Sequence, residues 1–138
     1  MTGAALANLS VERVRLAAIL AGGAVGALAR GGLAEALPHG AGSWPWSTFI
    51  ANLVGALFLG WLLTRLAERV APTTHWRPLL GTGFAGALTT FSTFQIETFD
   101  LVHSGHAGLG IAYALTSLAA GLALAVAGVV AARWGRYW

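Results

Sequence analysis

Four apolar stretches, at about 16–37, 46–63, 79–102 and 107–132, constrain this chain more than any single motif does. A helix needs about 20 residues to cross the roughly 30 Å hydrocarbon layer of a bilayer, and each stretch has about that length. Inside hydrocarbon every backbone N–H and C=O must find a partner within its own segment or on a neighbour, so the stretches are expected to be α-helices. Charge points the same way: 9% of the 138 residues are charged and 57% are hydrophobic, where soluble domains carry about 25% charged residues. The expected fold class is an all-α membrane protein, a single four-helix transmembrane domain over residues 1–138, with no length left for a domain outside the bilayer.

Composition also excludes. A pI near 10.7 alone points to nucleic acid, but all eight basic residues are arginines that border apolar runs and form no stripe, so no nucleic acid is expected. The absence of cysteine removes disulfides, thiol catalysis and cysteine metal sites. Arg13 and Arg15 precede the first run and Ala27-Leu28-Ala29 has the look of a cleavage site, yet cutting there would strip the bundle of its first helix. The first run is therefore read as a span.

The third run is the polar one. Thr89, Thr90, Ser92 and Thr93 set four hydroxyls at one bilayer depth, where polar groups face a protein interior or a watery path. Phe91 and Phe94, three apart, project to one side of a helix. Their ring edges are electropositive and suit a small anion while excluding water, although the same spacing also serves core packing. Gly81, Gly83 and Gly86 loosen the backbone ahead of these residues. Two readings stay open: a break at mid-membrane whose freed carbonyls suit a hard cation, or an intact helix whose threonines bond back to their own carbonyls. Asn52, in the middle of the second run, offers two amide donors to a neighbouring helix or to an anion. Gly22 with Gly26, and Gly55 with Gly60, are small residues of the kind that let membrane helices approach closely.

Taken in order, Gly22-Gly23-Ala24-Val25-Gly26-Ala27-Leu28-Ala29-Arg30, Thr48-Phe49-Ile50-Ala51-Asn52-Leu53-Val54-Gly55 and Gly83-Phe84-Ala85-Gly86-Ala87-Leu88-Thr89-Thr90-Phe91-Ser92-Thr93-Phe94 resemble the Fluc (CrcB) fluoride channels. The resemblance covers nearly the whole chain. It implies a broken third helix, an antiparallel dimer with two pores, and a fluoride-selective channel that passively exports cytoplasmic fluoride; no reaction is catalysed. It further implies a structural sodium ion, not transported, held at the dimer interface by backbone carbonyls that fall here on Gly86 and Thr89. Asn52 stands at the family's asparagine and so is assigned to fluoride coordination. Phe91 and Phe94 match the paired phenylalanines that line the ion path, Ser92 and Thr93 its polar track, and Glu97 an acidic residue just beyond. Gln95 departs from the serine expected there. Tyr113 and Ser117, one turn apart in the fourth run, add hydroxyls to the path. Arg30, about 21 Å along the first helix from residue 16, either snorkels to the far interface or, as its match to the family's arginine allows, draws anions to the pore mouth or caps a neighbouring helix.

With four spans both termini share one side, and seven of the eight arginines fall there, Arg30 alone lying towards the other. The excess of arginine places both termini in the cytoplasm of a plasma-membrane protein. So one-sided a bias argues against insertion in both orientations; the expected partner is an oppositely oriented paralogue, with a homodimer second, besides fluoride and membrane lipid. Two other classes compete. A small four-helix proton-coupled drug transporter should carry a carboxylate in mid-span, but Glu12 precedes the first run and Glu35 lies at its far end. A non-conducting membrane subunit has no need for Asn52, Phe91 and Phe94 together. Glu97 and Asp100, near the end of a span, are expected at the interface and not in a buried relay, and His103 and His106 lack the acidic neighbour of a zinc site.

Overall fold

The computed structural model describes residues 3–69 and 75–134, with the side chains of 3–8 and of 69 outside that description. Pro72, which falls between the second and third apolar runs, and Arg136, Tyr137 and Trp138, which follow the fourth, lie outside the described residues, as does the side chain of Arg69.

Among the described residues all regular structure is helical: α1 (Gly3–Ala36), α2 (Trp46–Arg69), α3 (77–88), α4 (Phe91–His103) and α5 (Ala107–Trp134). Three segments, Leu9–Ala36, Trp46–Glu68 and Ala107–Trp134, are long and apolar enough to cross a membrane, with mean hydropathies of 1.6, 1.7 and 2.1. The third apolar run is divided between α3 and α4. Winding stops at Leu88, Thr89 (φ −82, ψ 151) and Thr90 (φ −147, ψ 124) are extended, and winding resumes at Phe91. β-Branched residues accept that conformation readily.

The helices overrun the apolar runs. α1 has 34 residues, about 51 Å at 1.5 Å per residue, so Arg13 and Arg15, which precede the apolar run, are helical. Glu12 and Arg15, three apart, approach to 3.8 Å on its exposed surface, a spacing that helices support. α2 likewise continues past residue 63 to Arg69. Hydropathy marks where a helix becomes apolar, and polar good helix formers extend it beyond that point.

Two seams hold the bundle, and both are built by glycine. α3 is π-wound over Arg77–Ala85 and closes with an α-turn at Gly86–Leu88; Pro78 sits in the first turn, where its missing N–H leaves no helical bond unmade. A π-turn is wide, and here it presses its backbone onto α1. A Cβ at Gly22 would run into the Leu79 carbonyl and one at Gly26 into the Phe84 carbonyl, while one at Gly83 would stand 2.6 Å from the Ile19 carbonyl. On the other seam Gly60 lies against the Ala125 carbonyl and Gly128 against that of Leu57, joining α2 to α5. Small residues allow this approach, and dispersion between close backbones replaces the hydrophobic drive that lipid removes. The outer face of α5 presents Ile111, Leu115, Leu118, Leu122, Val126 and Val130. These elements define a multi-pass helical membrane protein.

At the end where α1 turns into α2, Gly42 (φ +77) is backbone that side chains disfavour. It lies under the His106 ring, 2.5 Å from where a Cβ would be, and so ties this connection to the one between α4 and α5.

Candidate functional site: a polar cleft and an aromatic groove

Extended backbone at mid-span leaves polar groups that hydrocarbon cannot satisfy, at a cost of several kcal/mol each. Asn52 of α2 meets this need. Its Oδ1 accepts from the Thr90 N–H at 2.8 Å and its Nδ2 donates to the Thr90 carbonyl at 3.0 Å, the two-bond pairing that a neighbouring strand would supply. Gly55, one turn along α2, leaves room for the Thr89 methyl, which a Cβ there would strike. The Thr89 hydroxyl bonds back to the Ala85 carbonyl at 2.9 Å, so one threonine does what the intact-helix alternative expected while its neighbour leaves the helix.

Thr90 is also the N-cap of α4. Its Oγ1 accepts from the Thr93 N–H at 3.2 Å and donates to the Thr93 hydroxyl at 3.0 Å, with the Ser92 hydroxyl 3.3 Å away. Such a cap is worth about 1 kcal/mol. On the other side of the interruption Arg30 Nε donates to the Ala87 carbonyl at 3.1 Å, near the carbonyl end of α3, where a cation is favoured.

About two turns of α4 further on the chemistry changes from amide to carboxylate. Glu97, 10% exposed, accepts from the Thr48 hydroxyl at 2.7 Å on one oxygen and from the Tyr113 hydroxyl at 2.8 Å on the other. His39 Nε2 lies 3.9 Å from the same oxygen that Thr48 reaches. Glu97 thus joins α2, α4, α5 and the α1–α2 connection. Although it sits where an interfacial residue was expected, it is tucked in and fully bonded. A polar cleft of about 460 Å³ runs beside it, lined by Arg30, His39, Thr48, Thr90, Thr93 and Glu97 among others.

The phenylalanines face elsewhere. Phe91 and Phe94 stack at 6.0 Å between centroids, and Phe94 touches the fully buried Tyr113 ring at 5.3 Å. Phe91 is 67% exposed. Both line an apolar groove of about 830 Å³ on the α4–α5 face, with Gln95, Ile96, Phe99 and Leu118. Trp44 and Phe49 close on Tyr113 from behind, at 5.4 and 6.4 Å. The residues read from sequence are therefore parted within one chain. Thr93, Glu97 and Arg30 line the cleft, Phe91 and Phe94 the groove, and Tyr113 links the two. Asn52 holds the interruption. Ser92 is exposed, and the Ser117 hydroxyl is buried with no partner among the described residues.

Gly86 and Thr89 fit a hard cation by the chemistry of what they offer. In an unbroken helix the Gly86 carbonyl would accept from the Thr90 N–H and that of Thr89 from the Thr93 N–H. Both donors are committed elsewhere, to Asn52 Oδ1 and to Thr90 Oγ1, so the two neutral oxygens are released from their helical partners. Carbonyl oxygens suit hard cations, and Gly86 lies at the exposed surface.

The roles of three residues escaped the sequence reading. Thr90 carries a legible signal, a hydroxyl three residues ahead of Thr93 at the spacing of a helix cap. Thr48 and His39 converge on Glu97 from 49 and 58 residues away, and no local pattern announces them. Of the histidines weighed for zinc, His103 stacks on Phe99 at 3.7 Å and His106 packs by Ser104 and Gly42.

The chain is thus a helical membrane protein whose third apolar run is interrupted by extended backbone, with polar side chains on one side and an aromatic groove on the other. Residues 17–129 match the CrcB-like protein family, described as Camphor Resistance (CrcB), and the chain belongs to that family. It is 53% identical over 107 residues, 78% of this chain and 81% of the relative, to the fluoride-specific ion channel FluC 1 of Mycolicibacterium paratuberculosis. To the protein of the same name from Mycobacterium bovis it is 54% identical over 108 residues, with 78% and 81% covered. The fluoride-specific ion channel FluC of Desulfotalea psychrophila is 42% identical over 111 residues, 80% of this chain and 86% of that one. The family is one of ion channels and not of enzymes.

Proposed function

We propose that this chain is a subunit of a fluoride-selective channel that lets cytoplasmic fluoride leave the cell passively, down its gradient. The observation that carries the reading is the gathering of hydroxyl and amide donors at Thr90, next to the stacked Phe91 and Phe94 of the adjoining groove, in a chain 53% identical to a fluoride-specific channel. Fluoride is small and strongly hydrated, so a path for it must replace water with many weak donors and trap the ion at none. Asn52 has one Nδ2 proton beyond the bond to Thr90, Ser92 and Thr93 offer hydroxyls, and Phe91 and Phe94 offer ring edges. Tyr113, Glu97 and the buried Ser117 hydroxyl extend the series along α4 and α5. Arg30, held at the α3 end, lines the cleft at its mouth.

The functional unit in this reading is an antiparallel dimer in the plasma membrane, with both termini of this subunit in the cytoplasm. The exposed Phe91, Ile96 and Phe99 on the α4 face support a covering partner. The carbonyls of Gly86 and Thr89 would hold the structural sodium ion, which supplies a fixed positive charge between the two paths. The arginine bias favours an oppositely inserted paralogue as partner over a second copy.

Fluoride efflux from liposomes tests this. Wild-type chain, alone or with the paralogue, is expected to release fluoride and retain chloride, and Phe91→Ile to lower fluoride release at least a hundredfold while dimers persist on gel filtration. Unchanged release from Phe91→Ile would remove the ring edges from the path; full release by the chain alone would remove the need for a paralogue.

A further inference from the structure

We propose that the Asn52–Thr90 pairing is a latch that couples the anion path to the cation site, with Asn52 acting as a positioning residue for the Gly86 and Thr89 carbonyls. This rests on the channel reading above and assigns Asn52 a second duty. The latch takes the one N–H that would otherwise close on the Gly86 carbonyl, at 2.8 Å. It also fixes Thr90 in the extended conformation from which its hydroxyl captures the Thr93 N–H at 3.2 Å, the donor that would otherwise close on the Thr89 carbonyl. The carbonyls of Ala85 and Ala87, interleaved with these two, are occupied: the first by the Thr89 N–H at 3.0 Å, the second by Arg30 at 3.1 Å. Asn52 on α2 thereby frees the Gly86 and Thr89 oxygens, while a helical bond and Arg30 of α1 keep those of Ala85 and Ala87 occupied.

The coupling follows from the amide itself. One Nδ2 proton is committed to the Thr90 carbonyl at 3.0 Å, and the second is the one open to an anion. An amide that donates through nitrogen becomes a stronger acceptor at oxygen, because hydrogen bonds in a chain polarise one another. An anion on the free proton therefore tightens the hold of Oδ1 on the Thr90 N–H and keeps the Gly86 carbonyl clear for a cation. By linkage the cation must raise anion affinity by the same factor.

Thermal unfolding of the purified full-length protein in detergent reads both ions without reference to flux. Sodium gluconate is titrated against N-methylglucamine gluconate at constant ionic strength, with and without N-methylglucamine fluoride. For the wild type, sodium is expected to raise the midpoint, and fluoride to lower the half-saturating sodium concentration at least threefold. Asn52→Leu should raise that concentration at least tenfold and erase the effect of fluoride. Asn52→Asp, which keeps the acceptor and loses both donors, should retain a sodium response and lose the fluoride effect. The latch is overturned by a wild-type sodium response indifferent to fluoride, by an Asn52→Leu response equal to wild type, or by an Asn52→Asp response still shifted by fluoride. If Asn52→Leu does not fold, the wild type and Asn52→Asp decide alone. Wild-type liposomes that fail to release fluoride while the two ions still reinforce each other would sink the channel reading and leave the latch standing.

Discussion

The α2–α5 seam and the attachment of α4 lie side by side and are held by opposite means. At the seam Gly60 and Gly128 put backbone against backbone, with the Ala125 and Leu57 carbonyls as the contact surfaces. α4 has such a close approach to Gly110 of α5, beside Leu101 and the Thr98 carbonyl, and otherwise hangs on side-chain hydrogen bonds: Asn52 to Thr90, Thr48 to Glu97, Tyr113 to Glu97. A backbone contact has no rotamer and no alternative partner, whereas each of those polar bonds can be exchanged for a bond to an ion or a water. The difference teaches where rigidity is located: the seams fix the frame, and the polar fastenings hold the segment that the proposed ion path would use.

The contrast is broken most severely at the seam. Gly60→Val would drive its side chain into the Ala125 carbonyl, which cannot yield as a side chain can; overpacking of this kind costs about 1–3 kcal/mol or more. The expected result is loss of the monodisperse protein in detergent, and wild-type behaviour on gel filtration would show that the seam is softer than its geometry. A middle effect is expected at the fastenings. Tyr113→Phe removes one of the bonds to Glu97 and leaves that oxygen unsatisfied, a loss of about 1–3 kcal/mol read as a lower midpoint in thermal unfolding, with the helical content by circular dichroism unchanged. The smallest effect belongs to neither region. Glu12→Ala breaks an ion pair whose side chains are 74% and 58% exposed, and such pairs contribute about 0–1 kcal/mol; a shift larger than that of Tyr113→Phe would mean that the N-terminal turns of α1 take part in the frame.

These regions differ also in how far the sequence discloses them. The spans are legible because lipid imposes length and hydropathy on each separately, and Gly22 with Gly26 declares a close contact before the partner is known. What lies between α3 and α4 is harder. Four hydroxyls and three glycines are compatible with a back-bonded helix or an interrupted one, and the outcome is decided by an asparagine 38 residues away. The Glu97 cluster is harder still, since Thr48, Tyr113 and His39 belong to three other elements and meet only when the bundle has closed. Arg30 had several roles open on sequence, and its bond to the Ala87 carbonyl joins residues 57 apart, which no local signal foretells. Even the lengths of α1 and α2 outrun hydropathy, because charged residues such as Glu12 and Arg15 lengthen a helix that they do not make apolar.

The bond from Arg30 to the Ala87 carbonyl bears on how an ion arrives. The end of a short helical segment presents roughly half an elementary negative charge, and a guanidinium set against it is partly cancelled when viewed from afar. Its pull therefore fades over a shorter range than that of a bare cation. In the proposed channel an entrance built this way would sort ions on arrival and gather few of them from the surrounding solution, so the rate of capture should answer more to fluoride concentration than to the salt around it.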